Sequence, residues 1–134
     1  MKTTRMPHSG FTIIELLFII VLLSAASVLF FVQKNNLEVA GRDETRKTAI
    51  NAMYYSIEEV YFKANGYYPQ TINATVLPSV DPTLFTDPKG VKIGEASSNY
   101  RYAPYNCTGD QCKNYTLRTT LENEDDYVKI NRSN

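Results

Sequence analysis

A single acidic residue stands inside the longest apolar run of the chain. This run extends from Phe11 to Val32, and Glu15 is its only charged residue. A carboxylate in an apolar segment of membrane length costs about 2.5–3.5 kcal/mol on insertion scales, so such a residue is expected to have a partner and a function. As a helix the run would cover roughly 33 Å, which is enough to cross a bilayer. We therefore expect a membrane-spanning segment in which Glu15 makes one specific interaction.

The two cysteines of the chain, Cys107 and Cys112, flank a turn-forming Thr-Gly-Asp-Gln sequence. If this part of the chain is exported, we expect a disulfide that staples a hairpin and contributes about 2 kcal/mol for so short a loop. A redox-active pair and half of a zinc site are the alternatives. Four residues separate the thiols instead of two, and no histidine or second cysteine pair follows them, which disfavours both alternatives.

An acidic cluster extends from Glu122 to Asp126. Calcium prefers carboxylate and carbonyl oxygens, so Asp125 and Asp126 are candidate calcium ligands. The spacing of the cluster matches no calcium-loop motif, and a solvated charged turn is the alternative interpretation.

The sequence offers no catalytic residues. Its only histidine, His8, lies before the apolar run, no nucleophile and base can be paired, and no phosphate-binding glycine loop occurs. We therefore expect that the protein is not an enzyme and needs no cofactor beyond the candidate calcium.

Nucleic acid has weak support as a partner. The 14 basic and 14 acidic side chains balance, so bulk charge gives no argument for it. The tyrosines Tyr100, Tyr102 and Tyr105 could form an adhesive or DNA-contacting surface, and packing within a sheet is the alternative for such a set.

Basic residues precede the apolar run. Lys2 and Arg5 predict an amino terminus that stays in the cytoplasm, with the chain after Val32 exported. A secretory signal peptide with a cleavage site at Ser24-Ala25-Ala26 would also fit, but Glu15 interrupts its core and the apolar run continues to Val32. An uncleaved signal anchor explains the length of the run and leaves Glu15 without a role.

From Gln33 the pattern predicts an amphipathic continuation of the same helix, ending at about Asn65 before Gly66 and Pro69. The predicted apolar face contains Leu37, Ala40, Ile50, Met53, Ile57, Val60 or Tyr61, and Ala64. The predicted charged face contains Arg42, Asp43, Glu44, Arg46, Lys47, Glu58, Glu59 and Lys63.

Residues 66–98 are rich in proline and glycine and predict loops, with Asp81-Pro82 and Asp87-Pro88 as turn starts. From 99 to 132 the period becomes two, which predicts three antiparallel strands. One contains Tyr100 and Tyr102, the second spans Tyr115 to Glu122, and Val128 and Ile130 share a face of the third. The single apolar side of such a sheet needs a cover, and the amphipathic half of the helix is the large candidate. We expect an α+β fold.

The sequence Gly10-Phe11-Thr12-Ile13-Ile14-Glu15-Leu16, behind a basic leader, resembles the class III signal of type IV pilins and of the pseudopilins of type II secretion and competence systems. A weaker likeness covers Gly41 to Pro69, including Arg42-Asp43 and Asn65-Gly66-Tyr67-Tyr68-Pro69. The resemblance implies a leader at residues 1–10, a transmembrane and assembly segment at 11–32 and a pilin head at 33–134.

The resemblance also implies processing and partners. A membrane prepilin peptidase would cut between Gly10 and Phe11 and methylate the new amine. The subunit would then leave the cytoplasmic membrane, polymerise with copies of itself through its amino-terminal helix, and work with a pilus or secretion assembly machinery of the inner membrane. Glu15 would pair with the Phe11 amine, and some major pseudopilins bind calcium in a late loop. The expected biology is a surface pilus for adhesion, motility or DNA uptake, or a secretion pseudopilus.

Overall fold

The computed structural model describes residues 10–132, which form two compact units, one ending at Leu37 and one beginning at Glu38. Residues 1–9, which make up most of the predicted leader with Lys2, Arg5 and His8, lie outside the described residues.

The first unit is the amino-terminal part of helix α1, which spans Ile13–Tyr55. Its side chains are exposed on every side, and it includes a stretch long and apolar enough to cross a membrane. The helix starts two residues later than predicted. Thr12 precedes it, and the Thr12 hydroxyl accepts the Glu15 backbone N–H at 3.4 Å. Threonine is a favoured residue at this position because its oxygen satisfies a free N–H of the first turn.

The helix continues in the second unit to the predicted end. After α1 come a π-helical segment, Ser56–Phe62, and a final turn α2, Lys63–Asn65. Gly66 follows with φ of 77°, a left-handed conformation that glycine adopts without steric cost, and its N–H bonds the Phe62 carbonyl at 2.7 Å. The helix stop predicted at Asn65-Gly66 is therefore confirmed.

The predicted apolar face of the helix is correct at its centre and wrong at its ends. Ile50, Met53 and Ile57 are fully buried, whereas Leu37, Ala40, Val60 and Ala64 are exposed. The face that packs on the sheet instead follows the spacing 39, 43, 46, 50, 53, 57 and so includes two charged residues, Asp43 and Arg46. Beyond residue 55 the wider π-helical turn changes which residues face the core. Tyr61 therefore packs against the core, whereas Val60 is exposed.

The fold is α+β, and its antiparallel sheet has four strands where three were predicted. The strands are β1 (Tyr68–Pro69), β2 (Tyr100–Thr108), β3 (Gln111–Thr119) and β4 (Tyr127–Ile130). Strand β3 is central: β2 pairs along one of its edges, and β1 and β4 pair with its beginning and its end along the other. The additional strand β1 follows the helix exit at once and is two residues long, too short to show any alternation.

Alternation from Tyr115 to Thr119 agrees with the prediction, but β3 begins four residues earlier than the predicted strand and ends at Thr119 instead of Glu122. Tyr100 is fully buried in β2, and Tyr115, Leu117 and Thr119 are fully buried in β3 beneath the helix. Val128 and Ile130 do share a face of β4, but they lie on the side of the sheet away from the helix, with 48% and 61% of their surface exposed. Tyr127 is the residue of β4 that packs against the core.

The connections contain the predicted turns. The Asp81 carboxylate accepts the Thr83 N–H at 2.9 Å and starts a short 3₁₀ helix, Pro82–Phe85. The Asp87 carboxylate accepts the N–H groups of Lys89 and Val91 at 2.9 and 3.0 Å. Cys107 and Cys112 form the predicted disulfide across the β2–β3 hairpin.

Candidate functional site

Glu15 lies in the first turn of α1, next to apolar side chains that are exposed in the amino-terminal unit. The exposed fractions of Phe11, Ile13 and Ile14 are 72%, 82% and 74%. The positive end of the helix dipole favours a carboxylate at this position, which lowers the cost of placing Glu15 in an apolar segment.

Two serines interrupt the apolar segment without breaking the helix. The Ser24 hydroxyl donates to the Val21 carbonyl at 2.8 Å, and the Ser27 hydroxyl donates to the Leu23 carbonyl at 2.7 Å. Their polar groups are therefore satisfied inside the helix, as a hydrocarbon environment requires. The small side chains at positions 24–27 leave this part of the surface free for close helix approach.

A buried ionic cluster joins the second unit's helix to the loop after β3. Arg46 is fully buried, and its Nη1 lies 2.8 Å from Asp43 Oδ1 and 2.9 Å from Glu122 Oε1. Asp43 also accepts the backbone N–H groups of Glu122 and Asn123 at 3.0 and 3.2 Å. Arg42 closes the cluster from its exposed side with two hydrogen bonds to Glu122, at 2.9 and 2.7 Å.

Both carboxylates of this cluster are held ionised. Burial alone would raise the pKa of Asp43, but the N–H groups of Glu122 and Asn123 and the Arg46 guanidinium outweigh it and keep that pKa below 3.8. Hydrogen bonds from Arg42 and Arg46 hold the pKa of Glu122 well below 4.5.

This cluster predicts acid sensitivity of the head. Because folding lowers both pKa values, the stabilisation is complete above the unfolded-state values of 3.8 and 4.5 and is lost as the pH falls through the folded-state values. We expect the thermal midpoint of the full-length protein in detergent to fall steeply below about pH 4. The Glu122→Gln variant should show a lower midpoint at neutral pH and a shallower acid slope. An unchanged slope in that variant would contradict the assignment.

A second buried carboxylate, Glu58, lies in the π-helical segment. Its Oε1 accepts the Tyr115 hydroxyl at 2.8 Å and the Arg132 backbone N–H at 3.2 Å, and its Oε2 accepts the Tyr68 hydroxyl at 3.2 Å. Burial, followed by the hydrogen bond to Glu58, raises the pKa of Tyr115, so this phenol remains a donor at every physiological pH. Glu58 thus links β1, β3 and the segment that follows β4 to the helix.

We expect the Tyr115→Phe variant to lose about 1.5–3 kcal/mol in its free energy of unfolding, because a buried hydrogen bond to a charged acceptor is removed. Denaturant unfolding of the full-length protein in detergent measures this difference. Tyr105→Phe is the control, since Tyr105 is 47% exposed and should change the free energy very little. Equal losses in the two variants would refute the role of Glu58.

The acidic cluster of residues 122–126 is engaged mainly with basic side chains. Glu122 contacts Arg42 and Arg46, Glu124 lies 2.7 Å from Lys47 Nζ, and Asp126 lies 3.5 Å from Arg118. Within residues 10–132 no three His, Cys, Asp or Glu side chains converge as a metal site, so the calcium candidates Asp125 and Asp126 are not joined by a third such side chain.

The predicted tyrosine surface is not assembled. Tyr100 is fully buried, and Tyr102 packs against Tyr115 with ring centroids 5.5 Å apart and donates to the Pro69 carbonyl at 2.7 Å. Only Tyr105 of the three is exposed, so packing within the sheet is the correct interpretation for the other two.

Comparison of the chain with protein-family models, with curated proteins and with solved structures found no match in any of the three.

Proposed function

We propose that this chain is the precursor of a structural subunit of a type IV pilus or a related filament, and that it works by polymerising through its amino-terminal helix. The observation that carries the proposal is the exposed apolar surface of residues 11–32 with Glu15 in its first turn. An apolar surface of this extent is stable only when lipid or another protein surface covers it. Lipid would cover it in the precursor, and the helices of other subunits would cover it in the filament.

The proposed processing step removes residues 1–10 and leaves an amine on Phe11. An α-amine has a pKa near 7.7–8.0 and carries a positive charge at neutral pH. In the apolar filament core this amine would pair with Glu15 of a neighbouring subunit or of its own chain. A subunit in the wrong register would leave a buried charge unpaired, and this penalty selects the register.

The proposal implies a cellular location and a set of partners for the precursor and for the processed subunit. The precursor would cross the cytoplasmic membrane once with its amino terminus inside, and the processed subunit would end in a filament outside that membrane. Its partners would be a prepilin peptidase, an inner-membrane assembly machinery and other copies of itself. The exported head would form its disulfide in an oxidising compartment, in agreement with the bonded Cys107 and Cys112.

Electron microscopy of cells that produce the protein tests this proposal. We expect filaments that an antibody against the head labels, that disappear on deletion of the gene and that return with the wild-type copy. Long surface filaments would indicate a pilus for adhesion, motility or DNA uptake. Short filaments confined beneath an outer membrane would indicate a secretion pseudopilus. A labelled membrane without filaments would indicate a signal-anchored monomeric binding protein and would refute the proposal.

A further inference from the structure

The side of the sheet that faces away from the helix combines exposed aliphatic and basic side chains. Cross-strand pairing places Arg101, Arg118 and Val128 in one row and Ala103, Thr116 and Ile130 in the next. We refer to these six residues as the outer face. Val128 and Ile130 expose 48% and 61% of their surface there, although both belong to a regular strand.

The two arginines of the outer face stand directly opposite each other. Like charges at directly opposed positions of antiparallel strands destabilise a sheet. Arg118 has a carboxylate of Asp126 at 3.5 Å, which compensates part of its charge. The Arg101 guanidinium donates to the carbonyl oxygens of Glu95 and Ala96 at 2.9 and 2.6 Å, which bring no negative charge. The outer face therefore fits a partner that offers carboxylates and covers aliphatic surface.

The same head also carries exposed carboxylates, on helix α1 and in the loop just before β4. Glu44, Glu124 and Asp125 are exposed, and an open depression is lined by residues 122–125. Lys47 lies beside two of them: its hydrogen bond to Glu124 and the charge of Glu44 both raise its pKa. Lys47 neutralises Glu124, whereas among residues 10–132 neither Glu44 nor Asp125 forms an ion pair, so these two carboxylates leave the region negative. We refer to Glu44, Glu124 and Asp125 as the acidic patch.

We propose that the outer face of one subunit docks on the acidic patch of a second copy of this chain. The proposal rests on the proposed filament and names a head contact within it. Because the two surfaces differ, the contact is heterologous, and a heterologous contact that does not close into a ring propagates into an open helical filament. Val128 and Ile130 would supply the apolar area that the contact covers. The arginines of the outer face and the carboxylates of the acidic patch would set the orientation of the two subunits.

Charge reversal in the full-length protein tests this contact in cells of the native strain. We expect Arg118→Glu to lower filament yield by about tenfold or more while the amount of processed subunit stays unchanged, because two like-charged surfaces then meet. Asp125→Arg should cause a similar loss. The double variant should recover most of the yield, since each reversed surface again meets its complement. Lys113→Glu, an equal change at an exposed position of β3 outside the outer face, is the matched control.

Ile130→Ser provides a test that does not depend on charge, and its exposed position leaves the head core untouched. We expect a lower filament yield for this variant as well. Wild-type yields for Arg118→Glu and Ile130→Ser would overturn the contact while leaving the filament proposal intact. An equal loss of filament yield for Lys113→Glu would also overturn it, and so would a double variant that recovers no yield. A loss of DNA uptake by Arg118→Glu at normal filament yield would likewise overturn it. If the wild-type protein forms no filaments, the filament proposal fails, and the contact fails with it.

Discussion

Replacing Glu15 with alanine should abolish filament assembly while leaving membrane insertion and processing intact. The change removes an insertion cost of about 2.5–3.5 kcal/mol, so the precursor should enter the membrane at least as well as the wild type. It also removes the only negative charge of the apolar segment, so the Phe11 amine would enter the filament core without a partner. An unpaired buried charge is the costly state that we expect to block polymerisation. Immunoblotting for the processed subunit and microscopy for filaments measure the two effects separately.

Two further variants separate charge from size. Glu15→Gln keeps the side-chain volume and removes the charge, so it should fail to assemble in the same way as Glu15→Ala. Ser27→Ala is the matched control in the same segment, because the Ser27 hydroxyl bonds the Leu23 carbonyl of its own helix. We expect that variant to assemble normally. Normal filaments from Glu15→Gln would contradict the pairing of Glu15 with the amine.

Arg46→Ala should cause the largest loss of stability in the head. Arg46 is fully buried between Asp43 and Glu122, and removing one partner of a buried ion pair typically costs about 3–5 kcal/mol because the other charge stays buried. We expect a loss near 3 kcal/mol, at the lower end, because the Arg46 Nε and Nη2 groups have no hydrogen-bond acceptor within residues 10–132. Denaturant unfolding of the full-length protein in detergent gives the free energy directly.

Arg42→Ala is the matched control for Arg46. Arg42 contacts the same carboxylate, Glu122, but about a third of its side chain is exposed, so water can replace the lost hydrogen bonds. We expect a much smaller loss than for Arg46→Ala. Similar losses in the two variants would show that burial of Arg46 is not the source of its effect.

Local patterns were sufficient to predict the long helix and the three longer strands, but not the π-helical segment or the short strand β1. The helix end at Gly66 follows from a glycine that tolerates positive φ, and the disulfide follows from two cysteines around a turn sequence. Alternation in β3 is clear from Tyr115 to Thr119, because Tyr115, Leu117 and Thr119 are buried and the residues between them are not. Each of these signals lies within a few residues of the feature that it predicts.

The buried charged residues could not be predicted in this way. The sequence predicts that Asp43, Arg46 and Glu58 face water, because charged residues are rarely buried without partners. Their partners lie far along the chain: Glu122 is 76 residues from Arg46, and Tyr115 is 57 residues from Glu58. The spacing 39, 43, 46, 50, 53, 57 does contain the signal, but only if position is given more weight than residue type.

Mass spectrometry of the amino terminus of the processed protein is the most direct test of the account. A filament subunit made by prepilin cleavage should begin at Phe11 and carry a methyl group on its amine, with Glu15 retained in the mature chain. A mature protein that begins at Ser27, as after cleavage by signal peptidase, or one that keeps Met1, would contradict the central claim.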